Sequence, residues 1–267
     1  MPKLAIKGGK KLRKEGFHLW PVFGAEERAA LKKVLGSKSW GGFPAPNTRA
    51  REFAAKFAKF QDAQFGICCA NGTVSLEIAL RAAGIAAGDE VIVTPYSWVA
   101  SATTPVYVNA VPVFVDIDPD TYCIDARKIE EAVTNRTRAI IPVHLGSSIA
   151  DMDKIMEVAG KHNLIVIEDC AHMHGAKWNG KGVGSIGHFG SFSFQSSKLM
   201  TAGEGGLITT NNKDFEEKCQ SLTNCGRKET GYNNFDGELF GWNYRITEWQ
   251  AAVLTAQLSR FKQQMKI

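Results

Sequence analysis

From residue 65 onward the chain alternates short, almost uninterrupted apolar runs with stretches in which apolar residues recur at helical spacing. FGICC (65–69), EVIVT (90–94), VPVFVDI (111–117), AIIPVH (139–144) and LIVIED (164–169) read as strands. A strand that is apolar at every position, not only at alternate ones, is covered on both faces. Helices are predicted over 73–83, over 125–133 behind a capping Asp125, and over 151–162. Strand–helix repetition implies a mostly parallel sheet with right-handed crossovers, the α/β class. After residue 180 two shorter strands are expected, 189–194 and 205–210, joined by a Gly-rich loop. The chain stops at Ile267 inside an amphipathic helical pattern without a cap signal, which reads as a cut.

Composition narrows the class. The chain has 267 residues, 44% hydrophobic and 22% charged, which suits a globular protein of one or about two domains and excludes collagen, coiled coil and disorder. No apolar run reaches the roughly 18–20 residues of a membrane helix, and no apolar segment follows the basic N-terminus as in a secretory signal. A cytoplasmic location without membrane contact is expected. The net charge of +5 is uneven: residues 1–60 hold 14 Lys+Arg against 4 Asp+Glu. Aromatic residues do not interleave with this basic arm as a nucleic-acid platform requires, so a solvated arm, or one lying on a neighbouring subunit, is the reading taken. The six cysteines form no C-x2-C pair and sit mostly in apolar stretches, which suits buried thiols, not a metal site.

In parallel sheets ligands bind beyond the carboxyl ends of the strands, so the residues that follow each strand carry the chemistry. After 65–69 comes Ala70-Asn71-Gly72-Thr73 at a helix start. It serves either as a simple cap or as an anion site, where a glycine admits close approach and the helix dipole favours phosphate. After 90–94 comes Trp98, either packed in the core or stacked on a planar ligand. Asp169 ends a fully apolar strand, where a carboxylate is costly unless it is paired.

Two motifs lose force in context. Gly182-Val-Gly184-Ser-Ile-Gly187 fits G-x-G-x-x-G, yet no strand leads into it and no helix follows, so a dinucleotide site is rejected. His172-Met-His174 lacks a third ligand at helical spacing, and no metal is expected. A different cluster, residues 191–206 (SFSFQSSKLMTAGEGG), sets Lys198 among small hydroxyl residues and glycines. Desolvation there makes an amine nucleophilic towards an aldehyde. One ligand satisfies the whole set: phosphate at Gly72, Thr73 and Ser193, an aldehyde at Lys198 and a ring nitrogen at Asp169. That ligand is pyridoxal 5′-phosphate, PLP.

At these residues the sequence resembles the DegT/DnrJ/EryC1/StrS family of PLP-dependent sugar aminotransferases. The likeness is carried by NGTVSLEIAL, GDEVIVTPYSWVAS, VPVFVDIDPDTY, IPVHLG, IEDCAHMHGAKWNGKGVGSIG, GSFSFQSSKLMTAGEGG and GWNYRITEWQAA, and runs from about residue 3 to the end. HMHGAKWNGKGVG with FSFQSSKLMTAGEGG is most similar to the cyclitol branch, the glutamine:scyllo-inosose aminotransferases, and the same stretches are similar to 3-amino-5-hydroxybenzoate synthases. The resemblance implies a Schiff base on Lys198, a pyridinium partner at Asp169, His172 beside the ring or its 3-hydroxyl, Trp98 stacked on one ring face, and phosphate contacts from Gly72, Thr73 and Ser193. Asn243 matches the asparagine that reaches the neighbouring subunit's phosphate. The implied fold is the large domain of a fold-type I aminotransferase homodimer with shared active sites. The expected division is an N-terminal arm and helix (1–50), a PLP-binding large domain (51–250), and the start of a helix leading to a small C-terminal domain that is absent (251–267). The implied activity is amino transfer from glutamine or glutamate to a keto-sugar or keto-cyclitol. A PLP-dependent dehydratase, or a truncated PLP-binding protein without turnover, are the alternatives.

Overall fold

The computed structural model describes residues 2–16, 19–42, 47–227 and 239–266. In chain order the elements are α1 (Ala25–Ser37), α2 (Thr48–Phe60), β1 (Phe65–Cys69), α3 (Gly72–Ala82), β2 (Glu90–Val93), α4 (Ala100–Tyr107), β3 (Val111–Phe114), β4 (Thr137–Ile141), α5 (Met152–His162), β5 (Ile165–Asp169), β6 (Lys177–Trp178), β7 (Lys181–Gly182), β8 (Phe189–Ser193), β9 (Gly206–Thr210), α6 (Lys213–Thr223) and α7 (Glu248–Gln264). Seven strands form one sheet in the order β1-β9-β8-β5-β4-β2-β3. All neighbours are parallel except β9, which runs antiparallel to both β8 and β1. The carboxyl ends of β1, β2, β4, β5 and β8 therefore lie along one edge of the sheet.

The continuous apolar runs are explained by the pleat, which sends successive side chains to opposite faces. Val91, Val93, Ile141, Ile167 and Ile208 join α3 and α6 in one core layer. Ile92, Ile140 and Val166 pack with α5 on the other face. Cys68, Phe192 and Leu207 meet α2 and α7 there as well. Both faces are dry, so both alternating sets must be apolar. Within the layer under α2, the rings of Phe57 and Phe192 lie edge to face with centroids 4.9 Å apart, and Phe57 meets Phe194 at 5.3 Å.

The helix predicted over 125–133 is not one. Two 3₁₀ turns, Ala126–Lys128 and Glu130–Ala132, take its place. The Asp125 side chain accepts from the Arg127 N–H at 3.1 Å and from Arg127 Nε at 2.8 Å, closing a tight turn at the point where a helix would open. A segment this short gains too few i→i−4 bonds to offset the cost of nucleating a helix. The hairpin β6–β7 turns through Asn179 and Gly180 at φ 48° and 85°, the left-handed pair a two-residue hairpin turn requires. No described helix is long and apolar enough to cross a membrane.

Phe57 is fully buried among rings that cannot collapse into the space it leaves. Phe57→Ala should cost about 3–5 kcal/mol of stability, read as a lower urea midpoint at an unchanged slope.

Candidate active site

The segments that follow five strands converge on a cavity of about 900 Å³. Gly72, Thr73, Trp98, Asp169, His172, Ser193 and Lys198 all line it, so seven of the eight residues singled out from the sequence meet in one place. Asn243 does not line it; it lies exposed, bridged to Asn224. Asn71, Ser97, His144, Gln195, Ser197 and Glu204 are further lining residues that the sequence reading did not select.

One wall is the start of α3. The Asn71 side chain caps the helix by accepting from the Val74 N–H at 2.9 Å, and the Asn71 carbonyl takes the Ser75 N–H. The N–H groups of Gly72 and Thr73 are left to point at a ligand, with the helix dipole behind them. A Cβ at Gly72 would come within 2.7 Å of Ser193 Cβ, so only glycine lets the end of β8 close against this helix terminus. The cap and the anion site, open alternatives on sequence alone, are supplied by different groups of the same turn.

The floor is the end of β5, where two adjacent buried carboxylates point to opposite faces. Asp169 faces the cavity, its Oδ2 accepting from Ser101 Oγ at 2.8 Å and its Oδ1 from the Ala171 N–H at 3.2 Å. Glu168, fully buried, points away. Its oxygens accept from the N–H groups of Gly184 (2.8 Å), Ile186 (2.9 Å) and Gly187 (2.7 Å), and His144 Nε2 lies 3.1 Å away. The G-x-G-x-x-G segment is therefore a backbone nest for the chain's own carboxylate. His144, Glu168 and Cys170 are the one gathering of metal-ligand side chains among the described residues. The His144 Nδ1 is already taken by the Ala150 N–H, and the glutamate oxygens by four donors.

The two histidines of His172-Met-His174 part company. His172 is half-buried at the cavity, its Nδ1 accepting from the Gly146 N–H at 3.3 Å, which leaves the proton on Nε2. Burial, then the charge of Lys198, hold its pKa below the ordinary value. His174 is 2% exposed and packs against Phe57, Phe192, Phe194 and Phe261, with Nε2 bonded to the Ser193 carbonyl at 2.9 Å and Nδ1 without a partner. Burial pushes its pKa down to about 3. Lys198 leaves β8 on a turn closed by its own N–H to the Gln195 carbonyl at 2.9 Å. Burial lowers its pKa, opposed by the charge of Asp169. The site thus offers a half-buried amine of reduced basicity, a carboxylate facing the same cavity, and a helix terminus ready for an anion.

Residues 21–267 match the DegT/DnrJ/EryC1/StrS aminotransferase family. The chain belongs to this family. It is 51% identical over 97% of its length to a protein of Streptoalloteichus tenebrarius described as "Putative L-glutamine:3-amino-2,3-dideoxy-scyllo-inosose aminotransferase", and covers 62% of that relative. Among solved structures it is similar to a 3-amino-5-hydroxybenzoic acid synthase, with a TM-score of 0.88 and 35% identity over 94% of this chain and 65% of that one. It is also similar to the PLP-form of a "Putative sugar aminotransferase" from Streptococcus pneumoniae, with a TM-score of 0.83 and 28% identity over 91% of this chain and 66% of that one. The chain thus spans slightly under two thirds of the length of these relatives. The cofactor of the family site is PLP, and the donors found here fit it: N–H groups and a hydroxyl for a phosphate, a carboxylate for a ring nitrogen, and an amine for an aldehyde.

The sign of one pH effect follows from His174. Below its ordinary value of 6.5 the unfolded chain takes up a proton that the folded chain refuses until about pH 3. Its contribution to stability is therefore intact above pH 6.5 and is lost progressively as pH falls from 6.5 towards 3. Between pH 7 and pH 5 the loss should be about 2 kcal/mol, and denaturant titrations should find that part of the loss missing in His174→Phe.

Proposed function

We propose that this chain forms the cofactor-binding part of an aminotransferase that moves an amino group from glutamine or glutamate to a keto-cyclitol or keto-sugar. The observation that carries the reading is the meeting of Lys198, Asp169 and the Gly72–Thr73 helix terminus in one cavity. The named substrate of the 51%-identical relative supports the cyclitol class of acceptor. When bound, PLP supplies a conjugated ring that takes up the electrons of a substrate carbanion.

The chain's own groups have the following parts in this reading. Gly72, Thr73 and Ser193 hold the phosphate. Asp169 holds a proton on the ring nitrogen by its negative charge. Trp98 would pack against the ring, and His172 would offer its Nε2–H beside it. Lys198 would hold the aldehyde, and its Nζ, half-buried and of reduced basicity, would serve as the base and acid that moves the substrate's Cα proton. Asn243 serves the phosphate of a second subunit, in a cytoplasmic homodimer. Residues 51–250 form the PLP-binding domain, residues 1–50 an arm and helix before it, and residues 251–267 the start of the helix towards a smaller domain. A second reading, dehydration, is favoured by the similarity to 3-amino-5-hydroxybenzoic acid synthase.

The native full-length protein, loaded with PLP, should show a visible band that borohydride fixes on the peptide holding Lys198. L-Glutamine or L-glutamate without acceptor should bleach the unreduced band and leave the cofactor in its amine form, and a keto-cyclitol or keto-sugar should restore it. A dehydratase would leave no amine form with any common amino acid. Label on another lysine would overturn the site assignment.

Shared sites have their own test. Mixing Lys198→Ala with Asn243→Ala protein should recover activity, because some mixed dimers carry one intact site. No recovery despite demonstrated subunit exchange would mean that each site is built within one chain.

A further inference from the structure

Asp169 is held by a chain of hydroxyls that begins at the cavity wall. Ser101 Oγ lies 2.8 Å from Asp169 Oδ2, and Ser97 Oγ lies 2.9 Å from Ser101 Oγ. An ionised carboxylate can only accept, so the Ser101 proton points at Oδ2 and the Ser101 oxygen in turn accepts from Ser97. The order of donors is therefore fixed, Ser97 to Ser101 to Asp169. Ser101 is 1% exposed and stands in the first turn of α4, with its N–H on the Trp98 carbonyl at 3.1 Å. Ser97 lines the cavity itself. The five residues 97–101 thus carry both an aromatic at the cavity and the support of the carboxylate on its floor.

The geometry points to Ser101, backed by Ser97, as a positioning residue that acts through Asp169. It fixes the rotation of the carboxylate and occupies one lone pair of Oδ2, so that the proton shared with a ring nitrogen rests on the nitrogen. Two further donations do not substitute for it: the Ala171 N–H goes to Oδ1, and the His144 N–H goes to the backbone carbonyl of Asp169 at 3.1 Å. Bonds in such a chain polarise one another, so loss of Ser97 weakens the Ser101 donation without removing it. The other ionisable groups near Asp169 are Lys198 from the turn after β8, His172 and Cys170 from the segment after β5, His144 after β4, and Glu168 on its own strand. Glu168 and His144 are bonded to each other on the far face, which leaves Lys198 and His172 as the cavity-side groups whose charge changes with pH.

The inference rests on the proposed use of PLP, and the experiment separates the two. In the PLP-loaded full-length protein, the visible band is titrated with pH by absorbance. A ring nitrogen that keeps its proton draws electrons from the Lys198 attachment and lowers the midpoint of that titration. Ser101→Ala should raise the midpoint by about half a pH unit or more, Ser97→Ala should raise it by less, and Ser101→Thr, which keeps a hydroxyl, should titrate like the parent. If Ser101→Ala does not fold, Ser97→Ala carries the test, and an unshifted midpoint in that variant overturns the relay. A folded Ser101→Ala that titrates like the parent overturns it equally. A parent protein that forms no visible band with PLP fails the cofactor reading instead.

Discussion

Strand β5 ends in two consecutive carboxylates buried in an otherwise apolar sheet. Two adjacent buried charges would unfold the strand end if left unmet, since each is expensive to desolvate without donors. The pleat sends them to opposite faces, and each face supplies a different answer. Glu168 receives three backbone N–H groups and a histidine, all from within the chain. Asp169 receives one hydroxyl and one N–H, and faces the cavity with Lys198. One carboxylate is fully satisfied by the protein and the other is left with capacity for a cationic ligand.

The surroundings of the site follow from that arrangement. The loop 182–187 curls to present N–H groups to Glu168, which requires glycine at 184, where φ is 83° and an added Cβ would meet the Phe192 ring at 2.6 Å. The same curl leads the chain into β8, and β8 delivers Ser193 and then the Lys198 turn to the edge where β5 ends. Antiparallel β9 then returns the chain beside β8 in the same sheet, so the Gly-rich loop that joins them and carries Glu204 also lies at the cavity. His174 secures this corner from behind: its neutral ring sits among four phenylalanines and donates to the carbonyl of Ser193.

Seven of the eight selected residues lie at strand ends, in the segments just beyond them or at a helix start, and this is why they were legible. Strand ends can be read from where an apolar run stops, and the parallel topology puts those stops on one edge. Residues acting through others were not legible in the same way. Ser101 sits in a β-branched, Pro-containing stretch, ASATTPVY, without helical periodicity, and its partner Asp169 is 68 positions away. His144 and Glu168 are likewise paired across 24 positions. Helix α2 carries its own periodic signal, with Ala50, Phe53, Ala54, Phe57 and Ala58 at helical spacing and all buried.

The sequence by itself determined the α/β class, the strands of the central sheet, the family likeness and seven of the residues that meet at the cavity. These depend on local periodicity and on ordered motifs, both of which are written along the chain. Only the tertiary structure decided that 125–133 forms two tight turns, that G-x-G-x-x-G wraps a glutamate of the same chain, that His172 and His174 serve opposite sides of one wall, and that Asn243 stands away from the cavity. Each depends on which distant donors arrive beside a given acceptor, and that is fixed by sheet order and packing, not by spacing along the chain.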